Sequence, residues 1–472
     1  MTVAPSPPLE SEPGARPLLL LFVGTRGGRV TDALRSLSRV ADVTIVTSED
    51  VLAERADSLA GAAARDVVVA PARSGVPAVA RAYADRVRVD GALTFADDAV
   101  GVTAAFAEEH GLPGQPVATM PAFRDKWEQR RALADAGVPV PSVALVTSRA
   151  DVLTALETVA MPAILKPARG SGGALAYVVA EPAQLAAVVD EAFGLVESDA
   201  GDGGSGAGGG AVDAGTAFVL ESLLVGVPHH PVPGFAPYVS VETVAAGGEY
   251  AHLAVTDRFP LSPPALETGM SLPSCLPPDV REQVVVMADR ALRALNFRHG
   301  LAHTELMLTA DGPRVIEVNA RAGGALPYLF PLVSDVDLVE QAGRVALGLA
   351  PARAAAFHGY GVFVAPQHPV GVAVRSVDGL DEAAALPGVR AVIPVAVAGT
   401  RTDGFRHTLV AAVLGVADSP VDAVRLWQDV MRTIRSDYGD ATVAAHLRRS
   451  PRSTSPGAGG DGVFTATTGA TA

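Results

Sequence analysis

The sequence predicts an α/β fold with an open parallel sheet at its N-terminal end, and two patterns carry that prediction. Unbroken apolar runs at 17–23 (PLLLLFV), 42–47 (DVTIVT), 66–70 (DVVVA) and 91–95 (GALTF) alternate with helical periodicity up to about residue 120. Strands covered on both faces read as such runs, and strand alternating with helix marks a parallel layer. Further on, 238–245 and 250–257 alternate apolar with polar residues and read as paired strands. The chain has 472 residues, 49% hydrophobic and 19% charged. That length suits about two or three domains, and the composition is that of an ordinary globular protein.

Each element can be justified in turn. Residues 1–16 are rich in Pro, Ser and Glu and read as disordered, as does the Ser/Thr/Gly-rich segment 447–472. The first strand runs into the turn Gly24-Thr25-Arg26-Gly27-Gly28, which lacks the G-x-G-x-x-G spacing of a dinucleotide fingerprint. Residues 123–137 read as one helix with Arg124, Asp125 and Lys126 in its first turn, ended by Gly137 and the run Val138-Pro139-Val140-Pro141. Strands at 162–166 and 175–179, a helix at 182–194 and a strand at 217–221 follow. The tract 199–215, almost entirely Gly, Ala, Asp and Ser, reads as an inserted surface loop. Residues 280–296 read as a helix, 303–319 as a hairpin, and 360–446 as a small closing α/β unit.

Several function classes are disfavoured by composition. A net charge of −14 argues against a nucleic-acid surface, which needs a basic patch, and suits an enzyme with local positive clusters around an anionic ligand. No apolar run reaches the roughly 18 residues that span a membrane. The polar, Pro-rich N-terminus shows no signal-peptide pattern, and the single cysteine, Cys275, rules out a disulfide within the chain. A reducing cytoplasm is the expected setting. Cys275 lies in a proline-rich loop with nothing to mark it as a nucleophile.

The basic residues are unevenly chosen. Of 37 Lys+Arg, only Lys126 and Lys166 are lysines, leaving 35 arginines. A compositional drift toward arginine removes lysines that a planar guanidinium can replace, but not those needed as a compact ammonium. Lys126 stands near a helix start. Lys166 ends an apolar strand and is followed by Pro167-Ala168-Arg169-Gly170-Ser171-Gly172-Gly173. Backbone N–H groups of such a loop can wrap phosphate oxygens, although the lysine precedes the glycines and no Walker loop is present.

The hairpin carries a second signal. A turn centred on Asp311 pairs Glu305 with Glu317 across the strands, and Glu317, Asn319 and Arg321 share a face if the strand continues. Opposed carboxylates repel unless solvated or bridged by a cation. Mg²⁺ takes carboxylate and carbonyl oxygens together with phosphates, which suits Glu305, Glu317 and Asn319.

In this order the motifs resemble the ATP-grasp superfamily, and within it the carboxylate–amine ligases such as the L-amino acid ligases. The resemblance runs from about residue 17 to 445. It rests on Asp125-Lys126 with Ala-Gly-Val-Pro-Val-Pro behind it, Lys166-Pro167 before the glycine-rich loop, Phe218-Val219-Leu220-Glu221, Ser240-Val241-Glu242, His303-Thr304-Glu305, and Glu317-Val318-Asn319-Ala320-Arg321-Ala322-Gly323-Gly324. The resemblance implies a Rossmann-like N-terminal pre-ATP-grasp domain (17–121), a linker helix with a mobile α+β lid (122–222) and a C-terminal α+β core with its closing unit (223–446).

It also implies roles. Lys126 and Lys166 hold ATP phosphates, and Gly170, Ser171, Gly172 and Gly173 form the loop over them. Glu221, Ser222, Leu223, His229 and Met307 contact the nucleoside. Glu305, Glu317 and Asn319 hold Mg²⁺ or Mn²⁺, two ions in all. Arg321 and Lys166 act on the transferring phosphate. Glu267, with Asp98, contacts the amine. The implied reaction activates a carboxylate as an acyl phosphate, releases ADP and joins the acyl group to an amine, in a small-molecule ligase acting as a homodimer. A thiol or bicarbonate acceptor, or a nucleotide sensor without turnover, are the alternatives. The chain departs from the amino acid ligases at Glu267-Thr268-Gly269-Met270, where Met270 replaces a histidine and implies a more apolar or differently shaped substrate pocket.

Overall fold

The four N-terminal apolar runs do pair as a parallel sheet. β1 (Leu18–Phe22), β2 (Asp42–Ser48), β3 (Asp66–Ala70) and β4 (Gly91–Thr94) lie in the order β3-β2-β1-β4. All five residues of β1 are buried, as a strand covered on both faces requires. The computed structural model describes residues 15–438, apart from 26, 60, 171–174, 202–216, 263–265, 369–371 and 401–407. The expectations for the termini, for Ser171, Gly172 and Gly173, and for most of 199–215 therefore lie outside the described residues. Among the described residues no helix is long and apolar enough to cross a membrane.

The helix expected at 123–137 is two helices, Met120–Arg124 and Lys126–Asp135. Asp125 separates them in an extended conformation (φ −131°, ψ 117°), and its side chain accepts from the N–H groups of Trp127 (3.0 Å) and Glu128 (3.4 Å). An aspartate gains more as an N-cap than as a helix interior residue, so Lys126 becomes the first helical position.

A second sheet follows, formed by β5 (Val143–Val146), β6 (Ala163–Pro167), β7 (Tyr177–Val179) and β8 (Phe218–Ser222), antiparallel in the order β5-β8-β6-β7. β7 begins at Tyr177 rather than 175 because Leu175 sits at φ 51°, which a strand cannot contain. The next helix, Leu185–Gly201, runs beyond the expected end at 194 into the first residues of the glycine-rich tract.

The central sheet has eight antiparallel strands. β9 (Tyr238–Ala246), β10 (Glu249–Arg258), β11 (Gly269–Leu272), β12 (Gly300–Thr309), β13 (Gly312–Asn319) and β14 (Tyr360–Val364) take the order β13-β12-β9-β10-β11-β14, continued by the strands Ala411–Ala417 and Val389–Pro394. The closing segment thus extends this sheet.

β13 is an edge strand, and the Lys126 helix covers it. Gln129 behaves as a substitute peptide unit: its Oε1 accepts from Val318 N (2.8 Å) and its Nε2 donates to the Val318 carbonyl (2.8 Å). An unpaired edge is thereby closed by a side chain.

Arg130, on the same helix, joins three parts of the molecule. Its guanidinium meets both Glu221 oxygens at the end of β8 (2.9 and 3.1 Å) and donates to the Ile316 carbonyl of β13 (2.6 Å). Lys166, on β6, meets Glu221 Oε2 at 2.9 Å. The Arg130 and Glu221 side chains are 1% and 4% exposed. Burial opposes the Glu221 charge, but Arg130 and then Lys166 outweigh it, so its pKa falls from 4.5 to about 2.

Glu221→Gln should therefore destabilise the fold at neutral pH by about 3 kcal/mol, since two buried cations lose their counter-charge. A depressed carboxylate contributes fully above its unfolded pKa and is lost as pH falls through the folded one. The gap between wild type and Glu221→Gln in urea unfolding should hold from pH 7 to 5 and narrow from pH 4.5 toward 2. A gap independent of pH would mean that Glu221 is not the ionised partner.

Candidate active site

The hairpin and its neighbour β9 set the register of the charged residues. Glu305 on β12 lies directly opposite Glu317 on β13, as expected, but not through a turn centred on Asp311. The turn is Ala310-Asp311, closed by Thr309 opposite Gly312, and by itself would set Glu305 opposite Ile316; a bulge between Glu305 and Leu306 shifts the register by one residue. On the other side β12 pairs with β9, placing His303 opposite Glu242 and Glu305 opposite Ser240. The two motifs Ser240-Val241-Glu242 and His303-Thr304-Glu305 are thus one structure, read from two strands.

Each hairpin carboxylate has its own cation. Glu317 Oε1 lies 3.1 Å from Lys126 Nζ, which also donates to the Gly170 carbonyl at 2.7 Å. The Lys126 backbone N–H donates to Ala168 O (2.8 Å), tying the helix start to the loop after β6. Glu305 Oε1 lies 3.2 Å from His303 Nε2 and 3.7 Å from Arg258 Nη2. Burial raises the Glu305 pKa, but the bond from His303 and the charge of Arg258 prevail and hold it at about 2. Asn319, 8% exposed, ends the same strand.

Arg258 and His303 form the buried floor beneath Glu305. Arg258 Nη1 meets Glu267 at 2.7 Å, and Nη2 reaches Ser240 Oγ (3.2 Å) and His303 Nε2 (2.9 Å). His303 Nδ1 lies 2.8 Å from Glu242 Oε2. Burial disfavours the imidazolium, yet Glu242 and Glu305 outweigh burial and raise His303 to about 9. At neutral pH two cations thus sit among three carboxylates, none of them alone.

Arg321 follows the end of β13 rather than continuing it. Its Nε meets Asp97 Oδ1 at 2.6 Å, and its Nη1 donates to the Ala322 carbonyl at 2.9 Å. Burial works against its charge, while Asp97, Glu317 and Glu305 favour it and raise its pKa. Asp97 lies just beyond β4, so the N-terminal layer contributes to the site through this bond.

The remaining expected residues fall as follows. Lys166 and Glu221 are paired with each other, and the Glu221 carboxylate is fully engaged. Ser222 Oγ accepts from Ser142 N (3.1 Å), and the Leu223 N–H is committed to the Pro162 carbonyl (2.8 Å). Among the described residues none accepts from the next N–H, Leu224, which sequence reasoning passed over. The segment carrying His229 docks on β12: Val227 N donates to Leu308 O (2.7 Å), and a Cβ on Gly226 would lie 2.7 Å from Met307 Sδ. His229 is half-buried in that segment.

Two expectations, for Asp98 and Met270, are corrected. Asp98 does not face the hairpin: it accepts from the N–H and hydroxyl of Thr25 (3.0 Å each) and packs so closely on Gly24 that a Cβ there would lie 2.1 Å from its Oδ1. Its neighbour Asp97 is the one that reaches Arg321. Met270 is 4% exposed and packs in the core cluster with Leu272, Ala322 and Leu326, so it serves packing rather than a pocket wall. Glu267 is half-exposed and ion-paired, held by Arg258. The residues missed were Arg130, Arg258, Glu242, His303 as a charged group, and Asp97. Only the Ser-Val-Glu and His-Thr-Glu motifs signalled any of them.

Among the described residues no group of three or more His, Cys, Asp or Glu is placed to hold a metal ion. The hairpin set has two carboxylates and a carboxamide, an all-oxygen donor set that fits a hard divalent cation.

Comparison with known proteins agrees with this geometry. Residues 125–204 match the family model described as the ATP binding domain of the carbamoyl-phosphate synthase L chain. The chain is 31% identical over 281 residues to carnosine synthase 1 of Mus musculus, covering 57% of this chain and 32% of that one. It is 30% identical over 224 residues to alanine–anticapsin ligase of Bacillus subtilis, covering 46% of this chain and 45% of that one. The matched regions thus span less than half the length of these relatives. The fold superposes on an L-amino acid ligase from Bacillus licheniformis with a TM-score of 0.72 at 20% identity, over 90% of this chain and 99% of the other. Motif order, sheet topology and these matches agree: residues 125–204 match an ATP-binding domain, and the fold is that of the L-amino acid ligase.

Proposed function

We propose that the chain is an ADP-forming carboxylate–amine ligase acting on an amino-acid-type acid. The observation that carries the reading is the convergence of Lys126, Arg321, Glu305 and Glu317 on one end of the hairpin, with Lys166 linked to it through Glu221 and Arg130. The carboxylate of the acid attacks the γ-phosphorus of ATP, the bond to the ADP oxygen breaks, and an acyl phosphate forms. The amine nitrogen then attacks the acyl carbon, phosphate leaves and the amine proton passes to solvent.

The protein's part is charge placement. In the ligand-free chain Lys126 is paired with Glu317. With nucleotide bound, Lys126 would turn to phosphate oxygens, and Glu317, Glu305 and Asn319 would supply the oxygen ligands of Mg²⁺, two ions in this reading. A bound Mg²⁺ neutralises phosphate charge and orients the nucleotide. Arg321, held by Asp97, faces the charge that develops on the transferring group, where a fixed cation contributes most. Lys166 is fixed by Glu221 and acts on the phosphates from the lid. Leu223 and Leu224, with His229 and Met307, line the nucleoside end. Glu267 meets the amine. The lid, within 122–222, closes on the core within 223–446 over the layer 17–121 and excludes water from the acyl phosphate. We extend the reading to a cytoplasmic homodimer. The lone Cys275 suits a reducing compartment, its thiol pushed up by burial and by Asp257, and light scattering tests the dimer.

Incubation with ATP, Mg²⁺ and an amino-acid matrix should release phosphate and yield a new mass equal to the two substrates less water. Phosphate release that needs the acid but no amine, or nucleotide binding without turnover across the matrix, would sink the amide-forming reading. Lys166→Ala and Glu317→Ala should each lower ADP release by about two to three orders of magnitude, and intact activity in either would refute the site assignment. Arg321→Lys keeps the charge but loses the fork held by Asp97. It should lower kcat at least tenfold with little change in the KM for ATP, read from initial rates.

A further inference from the structure

A cavity of about 80 Å³ lies where β4 and the helix Val100–Glu109 face the hairpin, and Arg321 belongs to its lining. Its walls are short apolar side chains, among them Ala92, Ala104, Ala342 and Val345. Among the described residues no acidic side chain lines it. The hydroxyls of Thr94 and Thr103, also in the lining, donate to the carbonyls of Phe22 (2.7 Å) and Ala99 (2.8 Å).

Gln115 completes the lining and is 9% exposed. Its Oε1 accepts from the backbone N–H groups of Arg298 and of His299, the latter at 2.8 Å. Those bonds settle the orientation of the carboxamide, because a flip would set donors against donors. Nε2 is left buried, with no acceptor among the described residues. A buried N–H normally has a partner, so this one marks a place for an acceptor atom.

We propose that this cavity is the side-chain pocket for the acid activated beside Arg321, and that it selects a short, uncharged side chain carrying a hydrogen-bond acceptor. The identification of the ligand as the activated acid rests on the ligase reading above, whereas the cavity and its orphan donor do not. A cavity of roughly 150 Å³ admits benzene, so this one admits about three heavy atoms. An ammonium-bearing side chain finds no counter-charge in the walls, and an aromatic one finds no room. The Gln115 amide discriminates through its donor: a side chain without an acceptor leaves that donor unpaired.

The test uses the whole 472-residue chain, with glycine, L-alanine, L-serine, L-threonine, L-lysine and L-phenylalanine as acids. ADP release gives kcat/KM, and saturation-transfer NMR without ATP gives binding of the same acids independently of turnover. Gln115→Glu keeps an acceptor for the Arg298 and His299 N–H groups but removes the donor. Ala104→Leu fills the cavity, and Ala342→Val replaces it if that variant does not fold. Melting curves establish folding for each. Wild type should favour serine and threonine at least tenfold over lysine and phenylalanine. Gln115→Glu should cut serine and threonine at least tenfold and alanine less than twofold, while the filled variant should retain only glycine. An unchanged order of acids in Gln115→Glu and in the filled variant, by rate and by NMR, overturns the pocket. If no acid drives ADP release yet the binding order shifts, the pocket stands and the ligase reading falls. If no acid binds or reacts, both fall.

Discussion

The arrangement depends on Arg130 being buried with its charge intact. A guanidinium removed from water must be paired and hydrogen-bonded, and it is satisfied here by Glu221 from the β5-β8-β6-β7 sheet and the Ile316 carbonyl from the hairpin, brought to one point. That requirement ties the two sheets together and leaves a Glu221 oxygen for Lys166. The position of Lys166 is thus set in part from the helix that carries Arg130, through the neighbouring strand β8.

The hairpin follows the same logic at its other end. Arg258 cannot lie beneath the sheet without Glu267 and Ser240, and His303 cannot hold a proton there without Glu242. Together they keep Glu305 ionised in a place where burial alone would protonate it. Two carboxylates facing each other across the hairpin are then no liability, because each is balanced before any ligand arrives.

Much of this was legible in the sequence, and the reasons differ by residue. The parallel N-terminal strands announce themselves through unbroken apolar runs, whereas the Glu305–Glu317 pairing needs a bulge beside the two-residue turn, which no residue type in the hairpin announces. Lys126 and Lys166 were conspicuous because arginine had replaced every other lysine. The same bias hid Arg130 and Arg258, each one among 35 arginines, with no local spacing to set it apart. Asp97 was hidden by its distance of 224 positions from Arg321. Asp98, beside it, was the better guess from sequence, and only the course of the chain after β4 decides which of the two turns inward. Met270 looked like a pocket residue because its position in the motif was read without the packing that claims it.

The closure of β13 by Gln129 has a consequence for timing. The strand that carries Glu317 and Asn319 is held on one side by the ladder to β12 and on the other by two side chains of one helix, Arg130 at the Ile316 carbonyl and Gln129 at Val318. A ladder yields only when the strand as a whole lets go, whereas an uncharged carboxamide can leave by rotating two or three side-chain bonds. The buried Arg130 has no such freedom, because it would abandon Glu221. The outer flank is therefore fixed at Ile316, and its end at Val318 keeps the lifetime of a rotamer.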